Sequence, residues 1–535
     1  MNRRRFLEVG AIFVAAKNAK TAELDGSEAR HHRESAMRVR AAASASWLKA
    51  TPAKQVTTGD EERYADKRAS FSKTLPHNDF GEVRPEAYRS FVDILVQGDP
   101  ARFADMPRGD GAEARLNNPQ AAYAYDLAGL DSHTTAIPMP PPFAGPRMAS
   151  EMAELYWLAI ARDIPFRDFE SDRMIASALT DLNSFSGPAG PTAGGSLTPG
   201  TLFRGETKGD LIGPYVSQLL WQRIPLGAID LDQQASYPAA GQDFVTDFQE
   251  WLACQQGAKP KRTLALDNQP RYIHTGRDLA EYVRRIFSFQ PYLNAAMLAL
   301  SFGEEALSPT NPYRRSKTDF GDLTFGGKNV TAMLGQAALI AEKAAWYEKW
   351  LVHRRLRPEV FGGRVHNEAS GARSYDILPE LLGCDGVSRI KRAQGTCLLP
   401  VTYPEGCPTH PSYPAAHATI AGACATVLKA FFNEQFEIPN PVQASRHGLR
   451  LEPWTGPPLK LGNEIDKLAG NVSYGRGMAG VHYRSDSVAG LALGEEHAIA
   501  LLCDYSRTYR ERFDGFVLTR FSGRKIRIAE GEVAA

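Results

Sequence analysis

The chain has 535 residues, with 62 Lys+Arg against 61 Asp+Glu and a formal net charge of +1. That balance argues against nucleic-acid binding by bulk electrostatics and against an acidic disordered chain. Hydrophobic residues at 43% and charged residues at 23% are ordinary globular composition. No run of 18 apolar residues offers a membrane span. At roughly 100–200 residues per domain, the length allows about three domains or one large helical assembly. Six cysteines (Cys254, Cys384, Cys397, Cys407, Cys424, Cys503) lack any C-x-x-C spacing, which argues against a zinc ribbon or a thioredoxin-type site. Their even count permits disulfides without requiring them.

The start, MNRRRFLEVGAIFVAAKN, reads equally well as a twin-arginine export leader and as a basic disordered end. Export and a cytoplasmic location therefore both stand. Residues 1–75 are charged, Ala/Ser-rich and barely periodic, and read as a leader and poorly ordered arm. Residues 76–320 read as an N-terminal helical region. Within it Met148–Asp163 has helical spacing after the Pro-rich loop Pro138–Pro146, Asn183–Thr201 is a Gly/Pro/Ser/Thr-rich loop, and Arg277–Phe302 is a helix interrupted near Pro291. Residues 321–520 read as a C-terminal bundle with helices at Asn329–Trp350, Pro414–Phe432, Glu464–Met478 and Ser485–Tyr505, and 521–535 as a tail. No convincing β-alternation appears. The fold class is mainly α, a helical bundle with long loops, and bundles build sites in their cores from facing helices.

Three segments carry chemistry. In WYEKWLVHRRLRPEVFGG (346–363), Lys349 and Arg357 lie eight apart, about 80° off one face of a straight helix. Pro358 disfavours helical geometry at Arg357, so the helix breaks there; alone, the segment is a solvated basic helix end. In PTHPSYPAAHATIAGACATVLKAFF (408–432), Pro414 sits at a helix start with Ser412 as a cap. The N–H groups of Ala415, Ala416 and His417 then form an anion site, and His417 is a candidate proton carrier. His410 and Cys407 stand nearby. In NVSYGRGMAGVHYRSDS (471–487), Arg476 closes one helix and His482 precedes the next, with Gly475, Gly477 and Gly480 turning the chain between them. Singly each is weak. In this order they offer two Arg, one Lys, one His to ligate or attack, and one His to move protons, all around a tetrahedral oxyanion such as phosphate or vanadate.

KWLVHRRLRPE, PTHPSYPAAHA and GRGMAGVHYRSD together resemble the vanadium-dependent haloperoxidases, particularly the algal-type bromoperoxidases and their bacterial relatives. The pattern is shared with the phosphatidic-acid-phosphatase and bacterial acid-phosphatase superfamily. The resemblance extends through GEVRPEAYRSFVDIL, NNPQAAYAYDLAGLDSH, ELYWLAIARDIPF and FRGETKGDLIGPYVSQ, over roughly residues 80–520. It implies Lys349, Arg357 and Arg476 on the vanadate oxygens, with Ala415 and Ala416 at the positions of a binding Ser-Gly. It implies His482 as the imidazole ligand to vanadium, His417 as the acid–base group and His410 as a halide-handling residue. Two departures stand out: Ala415-Ala416 replaces Ser-Gly, and Arg284-Arg285-Ile286 lies where relatives tend to carry an acidic residue that balances Arg476.

The implied activity is oxidation of halide by hydrogen peroxide at Lewis-acidic vanadate, with hypohalous acid then halogenating small organic compounds. Bromide and iodide are favoured over chloride. Homo-oligomers are expected, nucleic acid and membranes are not expected as partners, and a calcium site is not derivable. Two rivals remain: a phosphomonoesterase with His482 as nucleophile, and an inactive oxyanion-binding homologue, kept alive by Ala415.

Overall fold

The computed structural model describes residues 26–534, so the Arg3-Arg4 leader lies outside the described residues. Helices follow as α1 (Gly26–Leu48), α2 (Asp60–Arg63), α3 (Pro85–Gln97), α4 (Pro146–Ala161), α5 (Arg173–Leu182), α6 (Phe248–Gln255), α7 (Gly276–Arg285) and α8 (Gln290–Ser301). The second half adds α9 (Gly327–Tyr347), α10 (Pro358–Ala369), α11 (Pro379–Leu382), α12 (Asp385–Gln394), α13 (Ala416–Phe431), α14 (Leu461–Met478) and α15 (Arg484–Ser506). Two two-stranded ribbons, β1 (Ile224–Leu226) with β2 (Ile229–Leu231) and β3 (Val442–Ala444) with β4 (Leu451–Pro453), decorate the loops. The chain divides into two compact units, Met1–Leu48 and Lys49–Ala535. In the first, α1 buries none of its residues and forms on Ala/Arg/Glu propensity.

In the second unit, α13 is the axis. Nearly every residue of AHATIAGACATVLKAF is buried, as expected of a helix apolar all round. Helices α9, α14 and α15 surround it. The tightest approach is to α15, where a Cβ on Gly494 would stand 1.8 Å from the Thr419 carbonyl. Helix α7 packs on α14, which ties the N-terminal region to the bundle. Residues 76–320 and 321–520 therefore lie in the same unit.

Several expectations change. Residues 69–75, read as part of a poorly ordered arm, are buried. Phe71 and Leu75 pack with Phe91 and Trp350, and buried Lys73 donates to Glu359 Oε1 at 2.8 Å. Leaving either partner of such a pair alone costs about 3–5 kcal/mol. The 521–535 tail instead contributes β6 (Lys525–Ala529) and β7 (Glu532–Ala534), which extend an antiparallel sheet from β5 (Phe516–Thr519). Alternating burial in β6 places Ile526 and Ile528 inward, a period-2 signal that the reading missed. The break in 277–302 falls at 286–289, and Pro291 opens α8, where its missing N–H costs nothing. All six cysteines are buried free thiols.

Candidate active site

The first segment leaves the α-helix before Arg357. Helix α9 ends at Tyr347, a π-helical turn spans Glu348–His353, and Arg354 is left-handed at φ 38°. Arg357 is extended, the cap before Pro358. π turns recur at functional sites because one extra residue per turn re-aims a side chain. Nothing here is a solvated helix end. Lys349 and Arg357 are fully buried, because their donors are taken by inward-facing groups. Lys349 Nζ donates to the carbonyls of Pro411 and Ser412, both at 2.8 Å. Arg357 donates through Nε to the His410 carbonyl at 2.9 Å. Its Nη1 donates to the Val481 carbonyl at 2.8 Å and to His482 Nε2 at 2.9 Å, and its Nη2 lies 3.0 Å from His410 Nδ1.

The second segment starts α13 at Ala416, with Ala415 extended at φ −72°, ψ 120° and making no side-chain cap. The expected cap, Ser412, instead donates to Asp486 Oδ2 at 2.5 Å. The Ala415 N–H is spent on the Asp486 carbonyl at 2.9 Å. Of the three N–H groups expected for an anion, those of Ala416 and His417 keep no protein partner among the described residues. His417 is partly exposed. Burial and the nearby Arg476 hold its pKa down to about 3, while a hydrogen bond to the Val283 carbonyl works the other way. His410 stacks on Trp346 with centroids 5.0 Å apart. Burial and Arg357 keep it neutral.

In the third segment only Gly480 has the positive φ of a tight turn, at 79°. Gly475 lies inside α14, where an added Cβ would stand 3.0 Å from Val283 Cγ1. Arg476 Nη1 donates to Tyr403 Oη at 3.2 Å, and its Nε is buried without a partner among the described residues. His482 Nδ1 lies 2.9 Å from Asp486 Oδ2, so Nδ1 carries the proton and Nε2 offers its lone pair. Asp486 Oδ1 accepts from Arg355 Nη1 at 2.8 Å. Beyond it Ser485 Oγ donates to Glu151 Oε2 at 2.7 Å. Burial first, then Arg357, holds His482 far below its usual range. Lys349 is likewise lowered by burial and Arg357, and Arg357 to about 10. Three cations thus face one another while the nearby carboxylate, Asp486, is engaged elsewhere. The arrangement lacks an anion.

The family described as the VCPO second helical-bundle domain matches residues 329–510. The vanadium-dependent bromoperoxidase of Ascophyllum nodosum is 34% identical over 496 residues, covering 89% of this chain and 88% of that protein. This chain belongs to the vanadium-dependent bromoperoxidase family. The Corallina pilulifera vanadium-dependent bromoperoxidase is 33% identical over 545 residues, covering 86% of this chain and 91% of its own. The homohexameric structure of the second vanadate-dependent bromoperoxidase of Ascophyllum nodosum superposes with a TM-score of 0.89 at 27% identity, covering 97% of this chain and 93% of that one.

Arg357 contacts His410 and His482 directly, and Lys349, Arg476 and His417 lie close enough to these groups to shift one another's charge. Two residues were missed by the sequence reading. Asp486 had a usable signal, since it lies four after His482, one helical turn away. Tyr403 had none, because its contact with Arg476 joins a loop to a distant helix. No cluster of three or more His, Cys, Asp or Glu among the described residues could hold a cation. No described helix is long and apolar enough to cross a membrane.

Proposed function

We propose that this chain is a vanadate-dependent haloperoxidase, oxidising halide with hydrogen peroxide to hypohalous acid that halogenates small organic molecules. The observation that carries the reading is the unbalanced cage, in which Lys349, Arg357 and Arg476 converge beside an imidazole whose Nε2 lone pair is presented by the Asp486 contact. Vanadate fits it: the oxyanion supplies the missing negative charge, and the buried Nε of Arg476 gains an acceptor. The backbone N–H groups of Ala416 and His417 add donors at a helix N-terminus. When bound, vanadate supplies a Lewis-acidic centre at which peroxide is activated.

The chain's own residues do the rest. His482 Nε2, which accepts from Arg357 Nη1 here, would be the ligand atom once that donor turns to an oxygen of the anion, and Asp486 holds its ring and makes it more basic. Lys349, Arg357 and Arg476 disperse negative charge as it develops. His417, neutral at working pH with the Val283 carbonyl favouring its protonated form, takes the peroxide proton and returns it. His410, neutral and stacked on Trp346, lines the halide approach. The bromoperoxidase relatives support bromide as a substrate, and iodide, more easily oxidised than bromide, ranks with it ahead of chloride. The homohexameric relative supports self-association.

The test is bromination with hydrogen peroxide, with and without orthovanadate, beside hydrolysis of an aryl phosphate. Vanadate-dependent bromination that phosphate suppresses is expected. Bromination that survives exhaustive vanadate removal would falsify the cofactor assignment, and phosphate ester hydrolysis alone would move the chain to the phosphatase reading.

A further inference from the structure

Tyr403 belongs to the loop segment that lies against the α14–α15 turn, where the Thr402 N–H donates to the Ala479 carbonyl at 3.1 Å. Its side chain is buried and reaches two helices. The phenol donates to the Ala280 carbonyl of α7 at 2.8 Å and accepts from Arg476 Nη1 of α14 at 3.2 Å. A phenol has a single proton. With that proton committed to Ala280, the oxygen can only accept from Arg476.

The consequence for Arg476 is geometric. Nη1 is held, Nε is buried without a partner, and the Nε–Nη2 edge keeps no protein acceptor among the described residues. That edge is the fork with which a guanidinium takes two oxygens of a carboxylate or a tetrahedral anion. The Arg476 and Arg284 guanidinium carbons each lie 5.3 Å from the Tyr403 ring centroid. Arg284 is balanced at its outer end by Glu405, with two contacts of 3.0 Å. Among the described residues no carboxylate touches Arg476 itself. A carboxylate there would orient the guanidinium equally well but cancel its charge.

We propose that Tyr403 is a positioning residue for the oxyanion site: its phenol oxygen fixes Arg476 so that the Nε–Nη2 edge faces the bound anion, and its neutrality leaves the whole guanidinium charge for that anion. This rests on the oxyanion-binding reading given above. It assigns a compensation for Ala415, whose methyl group cannot supply the hydrogen bond of a serine. One neutral tether behind an arginine stands in for one hydroxyl in front of it.

The experiment titrates orthovanadate, and separately inorganic phosphate, into the full-length apo chain by calorimetry. Wild type, Tyr403→Phe, Arg476→Lys and the double variant form a cycle. Tyr403→Phe is expected to weaken both anions about three- to tenfold, the size of one hydrogen bond, with a melting temperature lowered by a few degrees. In the Arg476→Lys background, which has no fork to aim, Tyr403→Phe is expected to change affinity less than about twofold. Unchanged affinity in the single variant, or the same loss in both backgrounds, overturns the positioning role. Should Tyr403→Phe not fold, Tyr403→p-aminophenylalanine keeps the ring and a donor for Ala280 but offers Arg476 only a weak acceptor, and the same outcomes decide. A wild-type chain that binds neither anion overturns the function reading and this inference with it.

Discussion

The two halves of the cage are backed in opposite ways. Behind His482 stands a buried ionic chain: Asp486 accepts from His482, Ser412 and Arg355, and Arg355 leads on through Ser485 to Glu151. Behind Arg476 and His417 stand neutral acceptors, the Tyr403 phenol and the Val283 carbonyl. The ligand imidazole needs a fixed tautomer and high basicity, which a carboxylate at Nδ1 provides. The cation and the proton carrier need the reverse: a held geometry with charge and acidity left undamped. The same fold thus uses charge where it wants electron density and neutrality where it wants field.

The largest effects should separate the halves by what is lost. His417→Ala is expected to slow bromination about 10²–10⁴-fold with vanadium retained, whereas His482→Ala should lose bound vanadium altogether. Metal analysis of both dialysed proteins checks this. Full vanadium occupancy in the His482 variant would mean that the two imidazoles have exchanged roles.

The ionic half can then be tested without touching the ligand. Asp486→Asn keeps the shape but removes the negative charge facing Nδ1, and vanadate affinity should fall about 10–100-fold. A Tyr403→Phe variant that lost more affinity than Asp486→Asn would invert the comparison. Titration of both apo proteins under one buffer settles the ranking.

Legibility in the sequence followed locality. The helices α9, α13, α14 and α15 came within a few residues of their observed bounds, because their apolar periodicity and Pro/Gly punctuation are local. The charged groups of the cage were named because each sits in a motif. What escaped was carried by contacts across the chain: Lys73 on Glu359, 286 positions apart, and Arg476 on Tyr403, 73 apart. The π turn at 348–353 escaped for another reason. Its sequence, EKWLVH, has ordinary helix formers, and nothing local to it marks the wider turn, although Glu348, Lys349, Trp350 and Val352 are all buried in it.

A smaller effect probes the edge between the halves. Ala415→Ser should tighten vanadate about tenfold if the added hydroxyl reaches an oxygen of the anion, from roughly 1.5 kcal/mol for a charge-assisted bond. Turnover should stay level, since a bond equally strong in ground and transition states alters only affinity. Calorimetry on the apo variant reads it directly. An unchanged constant would mean that the neutral half already supplies what the serine would.

The mildest expectation concerns pH, where the halves behave alike. His77 and His497, outside the cage, are held at about 3 and about 4 by burial, and His410 and His482 are lowered too. Unfolded, each imidazole takes a proton near 6.5. The unfolded chain therefore binds more protons below that pH, and stability falls as pH drops through it, by about 1.4 kcal/mol per unit for each group. Asp210, pushed up to about 7 by burial, and Glu151, Glu342, Glu434 and Asp466, also raised by burial, oppose this in part. Urea midpoints of the apo protein should be lower at pH 5 than at pH 7.5. Equal midpoints would contradict the neutral burial of these rings.

The six thiols bear on a hazard that any maker of hypohalous acid faces, namely attack by its own product. All six are buried and unpaired. Burial pushes Cys254, Cys384 and Cys503 up to about 12 and raises Cys397, Cys407 and Cys424 as well. Thiolate is the form that oxidants consume first, and at neutral pH this chain holds almost none of it. With these sulfurs packed out of reach, the catalyst is built to outlast the corrosive solution it makes.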